Sequence, residues 1–189
     1  MVNSDVPIRF STRAEWREWL HENHNKTEEV WFVFPLRSSG ESSISYNDAV
    51  EEALCFGWID STVGSLDDHH KIQRFTPRNP KSSYSQANKE RLKWLADRGL
   101  IHASLMKSVS QVLNEEFVYP KDILEAVGSD AVVWEHFQRF SDTYKRIRIA
   151  YIDAARKRPD EFRRRLNSFI DKTRKGKMIA GYGGIDKYY

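Results

Sequence analysis

The sequence predicts an α+β fold: a small, mainly antiparallel sheet covered by helices, followed by an all-helical C-terminal subdomain. Three observations point there. Hydrophobic periodicity runs helix, strand, helix, strand, strand, helix, and then helices only. The strand-like runs all fall before residue 77. The chain has 189 residues with 40% hydrophobic content, which suits one domain with an appended subdomain and excludes intrinsic disorder. The expected division is residues 1–100 for the sheet-containing half, 101–175 for the helical subdomain and 176–189 for a mobile, glycine-punctuated tail.

Thr12 and Glu15 have capping-box spacing and open a first helix. Trp16, Trp19, Leu20 and His24 follow on one face, and the helix should end near Asn25. Val30, Trp31, Phe32, Val33 and Phe34 read as a strand buried from both sides. Ser45 and Asp48 cap a helix over 46–56, whose inner face is Tyr46, Ala49, Val50, Ala53 and Leu54, with Glu51 and Glu52 pointing elsewhere. Gly57 supplies a left-handed stop, and 58–61 leaves it as a short strand. A turn around 64–68 leads to a third strand over 70–76, in which Ile72 and Phe75 face opposite sides. Pro77 and Pro80 end it. Ser85 caps a helix to Arg98, with Leu92 and Leu95 inside and Gly99 as its stop. Helices are then expected over 102–113, 122–127, 130–140, 142–157 and 160–172, the last preceded by Pro159 in a first-turn position. Strand order is not readable from these patterns.

Several classes of chemistry are disfavoured. No run approaches the roughly 18 apolar residues of a membrane span, and residues 1–10 lack a signal-peptide core. A single cysteine, Cys55, excludes a disulfide framework and a cysteine-based zinc site, so a cytoplasmic location is expected. Cys55 sits at a helix C-terminus, where the macrodipole opposes a thiolate, and reads as a small core residue. His21 and His24 stand three apart and His69 and His70 are adjacent, but neither pair has metal-site spacing, so no metal is expected. Ser61 lacks a nucleophile elbow. There is no P-loop, and the glycines at 181–184 do not open a helix, so no nucleotide cofactor is expected.

Charge is uneven. Residues 1–66 carry net −6, whereas residues 141–189 carry 14 basic against 6 acidic side chains, net +8. The basic stretch holds Lys145, Arg146, Arg148, Arg156, Lys157, Arg158, Arg163, Arg164 and Arg165. It lacks a recognised nucleic-acid motif, and consecutive arginines spread around a helix rather than forming one stripe. A solvated helical face is therefore preferred to nucleic-acid binding.

Two blocks stand out: Cys55-Phe56-Gly57-Trp58-Ile59-Asp60-Ser61 and Gln73-Arg74-Phe75-Thr76-Pro77-Arg78. If the second and third strands pair, Asp60, Arg74 and Arg78 could form a polar floor. Arginines there would recognise a carboxylate or phosphate, and Trp58, Phe75 and Tyr84 would supply aromatic walls. With Asn88, the candidate ligand-binding set is Trp58, Asp60, Arg74, Arg78, Tyr84 and Asn88. The competing reading is a buried Asp–Arg pair that only locks the sheet.

These blocks, with Ser82-Ser83-Tyr84-Ser85, Asn88, Trp16, Trp19 and the first strand, resemble the YdeI/OmpD-associated family, also labelled bacteriocin-protection proteins. The C-terminal pieces 120–124, Phe137, Tyr144, 154–156 and 163–166 look like the same family's helical domain, so the resemblance spans about residues 10–178. Tyr84 stands where the family usually shows a tryptophan, and 99–105 lacks its usual glycine- and proline-containing turn. The resemblance implies a bacterial protein linked to bacteriocin or cationic-peptide tolerance and to a porin association, with no established catalysis to carry over. The expected function is small-ligand binding or stress tolerance, with a small anionic ligand as partner. The alternatives are an enzyme using Asp60 as acid or base, and an interaction module using the basic helices.

Overall fold

The structure is a computed structural model that describes residues 6–180 and 186–189. The chain forms two compact units, Met1–Ser83 with Leu95–Ser110, and Tyr84–Trp94 with Gln111–Tyr189. Helix α3 (Gln86–Asp97) contributes residues 86–94 to the second unit and 95–97 to the first.

The first unit holds a three-stranded antiparallel sheet of β1 (Val30–Pro35), β2 (Trp58–Ser65) and β3 (His70–Pro77), in the order β1-β3-β2. Helices α1 (Arg13–Asn23) and α2 (Tyr46–Cys55) belong to the same unit. Register places Val30 and Asp60 on either side of Phe75, and Phe32 and Val63 on either side of Gln73. Ser61 and Thr62 lie between these pairs opposite the single residue Arg74, a β-bulge in β2. Ile72 and Phe75 do face opposite sides, as the alternation predicts.

The core of this unit is aromatic. Trp16 is fully buried. Its ring centroid lies 4.9 Å from Phe10, 5.3 Å from Phe32 and 5.4 Å from both Phe75 and Trp19. Its Nε1 donates to the Ala49 carbonyl of α2 at 3.0 Å, so the polar edge of the indole is satisfied inside the core. Thr12 caps α1 as expected, accepting from the Glu15 amide, but the Glu15 carboxylate accepts from Ser11 rather than from Thr12. Both faces of β1 are only partly closed, since Trp31 and Phe34 remain half-buried.

One expectation is overturned. Glu51 and Glu52 do not point away from the core: both are buried. Arg13 and Arg17, one turn apart on α1, reach across to them. Arg17 Nη1 donates to Glu52 Oε2 at 2.6 Å, Arg13 Nε donates to Glu52 Oε1, and Arg13 Nη1 lies 2.9 Å from Glu51 Oε2. Burial alone would lower the guanidinium pKa values, but hydrogen bonds and charge from Glu52 reverse this and hold them above the ordinary value. Buried carboxylates persist only when paired in this way. Cys55, the last residue of α2, is buried, and desolvation with the neighbouring Glu52 charge pushes its thiol up to about 12. Gly57 follows with φ 76°, and a Cβ there would meet Leu105 Cδ1 at 3.0 Å, so glycine serves both the turn and the close packing.

The β2–β3 turn is held by Asp67, which accepts from the His69 amide at 2.7 Å and lies 2.9 Å from His70 Nδ1. His70 Nε2 faces Glu41, itself paired with Arg9. The Asp67 hydrogen bond raises the His70 pKa, while the His69 amide and His70 lower that of Asp67.

The second unit contains α5 (Lys121–Gly128), α6 (Ala131–Arg139), α7 (Asp142–Asp153) and α8 (Pro159–Arg174), packed on Ile123, Val127, Val133, Phe137, Tyr144, Ile149, Ile152 and Phe169. Asp130 and Ser141 cap α6 and α7, and Pro159 opens α8. Buried Glu90 of α3 receives Arg146 of α7 in a bidentate pair, at 2.6 and 2.8 Å. In the stretch expected to be mobile, the Ile179 amide donates to Tyr144 Oη at 2.9 Å, Arg148 donates to the Ile179 carbonyl, and Tyr188 is buried with its ring 5.3 Å from Trp94. The glycines at 181–184 lie outside the described residues. Helix α4 (Ala103–Asn114) begins in the first unit and ends in the second.

Three outcomes are expected. Replacing Glu52 by Ala removes the acceptor that Arg13 and Arg17 share and costs about 2 kcal/mol in urea unfolding, below the roughly 3–5 kcal/mol of a fully buried pair because both arginines reach water and Arg13 keeps Asp48 and Glu51; an unchanged midpoint would refute the clamp. Cys55 stays unmodified by an alkylating agent at pH 8 until urea unfolds the protein, and labelling of the native state at the rate of a free thiol would contradict its burial. The His70 contribution is complete below about pH 6.5 and is lost as pH rises through its elevated folded pKa; the Asp67 contribution is present above about pH 4 and is lost below it. Amide protection factors over 66–70 should therefore peak between those limits, and a flat profile from pH 4 to 8 would show that the pair contributes nothing.

Candidate functional site

The expected polar floor does not form. Asp60 stands opposite Phe75 on the face that α2 covers, and its carboxylate accepts from the Tyr46 hydroxyl at 2.5 Å. Arg74 is one residue along from Phe75, so its side chain emerges on the other face. There Arg74 meets Glu29, with Nε donating at 2.7 Å and Nη2 also donating. Arg78 lies beyond β3; its amide donates to the Gly57 carbonyl at 2.8 Å and Nη2 to the Ser82 carbonyl at 2.6 Å. Among the described residues no ion pair joins Asp60 to either arginine. Strand alternation separates groups that sequence proximity suggested would meet.

The other candidates are placed differently again. Trp58 is a core residue rather than a pocket wall: it is 1% exposed, and its Nε1 donates to the His24 carbonyl at 3.0 Å. Tyr84 and Asn88 belong to the second unit. The Asn88 amide donates to Ser85 Oγ at 3.3 Å, and its side-chain oxygen accepts from Arg91.

A groove of about 760 Å³ opens elsewhere on the sheet. It lies on the face shared with Phe75, toward the turn end of the strands. The register rows Phe32–Gln73–Val63 and Phe34–Lys71–Ser65 run across that face, and Phe34, Gln73, Val63 and Lys71 line the groove. The wall comes from Ser43, Ile44, Ser45 and Tyr46, the loop and first residue of α2, and Arg37 and Glu41 stand at the rim. The Tyr46 ring meets Phe34 edge-on at 6.2 Å. Asp60, although not lining the groove, holds the Tyr46 hydroxyl and so orients that ring. Buried Gln73 spends its amide nitrogen on the Thr62 and Arg74 carbonyls, at 3.3 and 3.4 Å, which turns the bulge toward this face.

Sequence reading missed this groove because no run of adjacent residues announces it. One signal was present: Gln73 and Lys71 alternate with Phe75, which puts polar groups on a face otherwise built for burial. His21, His24 and His102 also gather, with ring centroids 5.0–5.7 Å apart across His102. Burial, with the nearby histidines and Arg17, lowers the His102 pKa. Among the described residues no group of three or more histidine, cysteine or carboxylate side chains is placed to hold a metal ion. No described helix is long and apolar enough to cross a membrane.

Comparison with protein families divides the chain. Residues 8–108 match a domain of unknown function (DUF8412), and residues 116–176 match the family described as "Bacteriocin-protection, YdeI or OmpD-Associated". No curated protein and no solved structure matches. The Gly-Trp-Ile-Asp-Ser and Phe-Thr-Pro-Arg blocks fall inside the first match, whereas Phe137, Tyr144 and the basic helix at 163–166 fall inside the second. A single resemblance over 10–178 therefore resolves into two, with the helical residues carrying the bacteriocin-protection likeness. Residues 116–176 are similar to the YdeI/OmpD-associated, bacteriocin-protection family, and the chain belongs to the DUF8412 family through residues 8–108, more than half its length.

Proposed function

We propose that this protein binds a small molecule with an apolar body and an acidic group, in the groove on the β-sheet face beside Tyr46. The observation that carries this reading is the groove itself. Its volume falls in the roughly 300–1,000 Å³ range of small-molecule sites, and it combines Phe34, Ile44 and Val63 with a few fixed polar groups. Arg37 and Lys71 bring positive charge to the rim, while Glu41 is already paired with Arg9 and His70. An acidic head would be favoured there.

The bacteriocin-protection domain supports a role in tolerance of cationic peptides. In that role the groove would sense or sequester a small metabolite in the cytoplasm, and protection would be indirect. The basic helices support nucleic-acid binding less well, because many of their charges are engaged: Arg156 with Asp122 and Asp153, Arg163 with Asp160, and Lys145 with Asp142.

A suitable probe is 8-anilinonaphthalene-1-sulfonate, an apolar body with one anionic group. It should bind the native protein saturably, with enhanced fluorescence. Val63→Trp, at a position 61% exposed and therefore tolerant, should weaken binding at least tenfold by filling the groove. Tyr46→Phe should weaken it a few-fold. Equal binding by the wild type and Val63→Trp would remove the groove from consideration. Deleting the gene should raise sensitivity to a cationic peptide; unchanged sensitivity would count against the tolerance role.

A further inference from the structure

We propose a second, separate site in the helical unit: a pocket between α7 and α8 that binds a phosphate group, free or carried as a small monoester. The pocket has a volume of about 280 Å³ and is lined by Arg148, Tyr151, Arg164, Arg165, Ser168 and Phe169, among others. Three arginines thus border one small space with a serine and two aromatic residues. This is below the size of most drug-like sites and suits a compact anion.

The guanidinium groups are held by different means. Arg148 is 4% exposed; its Nη2 donates to the Ile179 carbonyl, and its guanidinium lies 5.6 Å from the Tyr144 ring centroid. Arg165 stacks over Tyr151 at 3.7 Å and donates to the Tyr151 carbonyl at 2.6 Å. Arg165 and Arg164 both donate to Glu161, Arg165 through Nε at 2.7 Å and Arg164 through Nε and Nη2 at 2.8 and 2.6 Å. One carboxylate shared by two guanidinium groups leaves that pair with a net positive charge beside the pocket. Arginine so placed offers planar, directed donors to a tetrahedral oxyanion. Ser168, one turn along α8 from Arg164, adds a hydroxyl on the same wall.

The spacing of these residues explains why consecutive arginines do not form a stripe. Arg164, Arg165 and Ser168 reach the pocket from α8, whereas Arg163 pairs outward with Asp160. The site therefore takes two arginines from α8 and one from α7.

The test is titration calorimetry of the full chain with inorganic phosphate and with glycerol 3-phosphate, at constant ionic strength set by chloride. Saturable binding of either probe, weakened at least tenfold by Arg164→Ala, supports the site. Arg164 has a 73% exposed side chain, so its loss should leave the fold intact, and an unchanged melting temperature checks this. Tighter binding of the ester than of inorganic phosphate assigns the site to a carried phosphate; the reverse assigns it to the free ion. Val63→Trp should leave phosphate binding unchanged, which separates this site from the sheet groove. No heat with either probe, or equal binding by Arg164→Ala and the wild type, would overturn the proposal.

Discussion

The architecture of the sheet-containing unit depends on the contact between α1 and α2. Two arginines one turn apart on α1 embrace the buried Glu52 carboxylate of α2, and the Trp16 indole donates to the α2 backbone between them. The apolar and ionic parts of this contact are mutually dependent. Trp16 excludes water and so strengthens the ion pairs; the ion pairs satisfy carboxylates that could not otherwise be buried. Because α2 is held in this way, its first residue, Tyr46, projects over the free end of the sheet, where Asp60 receives its hydroxyl. The groove is what remains of the sheet face beyond that tyrosine.

The two units handle charge in contrasting ways. In the first, acidic side chains enter the interior and meet arginines there. In the second, Glu90 does the same with Arg146, but many basic groups stay at the surface and pair locally with carboxylates three or four residues away, as Arg163 and Arg164 do. Such exposed pairs contribute little stability. What they do is moderate the field of a strongly basic segment.

Much of the fold was legible from residue patterns. Thr12, Ser45 and Ser85 announce helix starts because each offers a side-chain oxygen to an unpaired amide. Gly57 and Gly99 mark stops because both adopt positive φ. Trp58 and Asp60 were legible as unusual neighbours but not as to role. Strand alternation sends Asp60 to the same face as Phe75 and Arg74 to the other, and the bulge at Ser61–Thr62 then re-phases the rest of β2. A one-residue change of phase exchanges faces, and nothing local in the sequence reports it.

The sequence by itself determined the α+β class, the two changes of character along the chain, the single buried thiol and the location of its helix ends, because these follow from local periodicity and capping chemistry. Tertiary structure alone decided that Glu51 and Glu52 are inside, that Asp60 serves Tyr46 instead of Arg74, and that arginines from two helices surround one pocket. The physical reason is that pairing partners here lie between 14 and 45 residues apart. Helix and strand propensity act over a few residues, whereas the identity of a buried charge's partner is set only when distant elements pack.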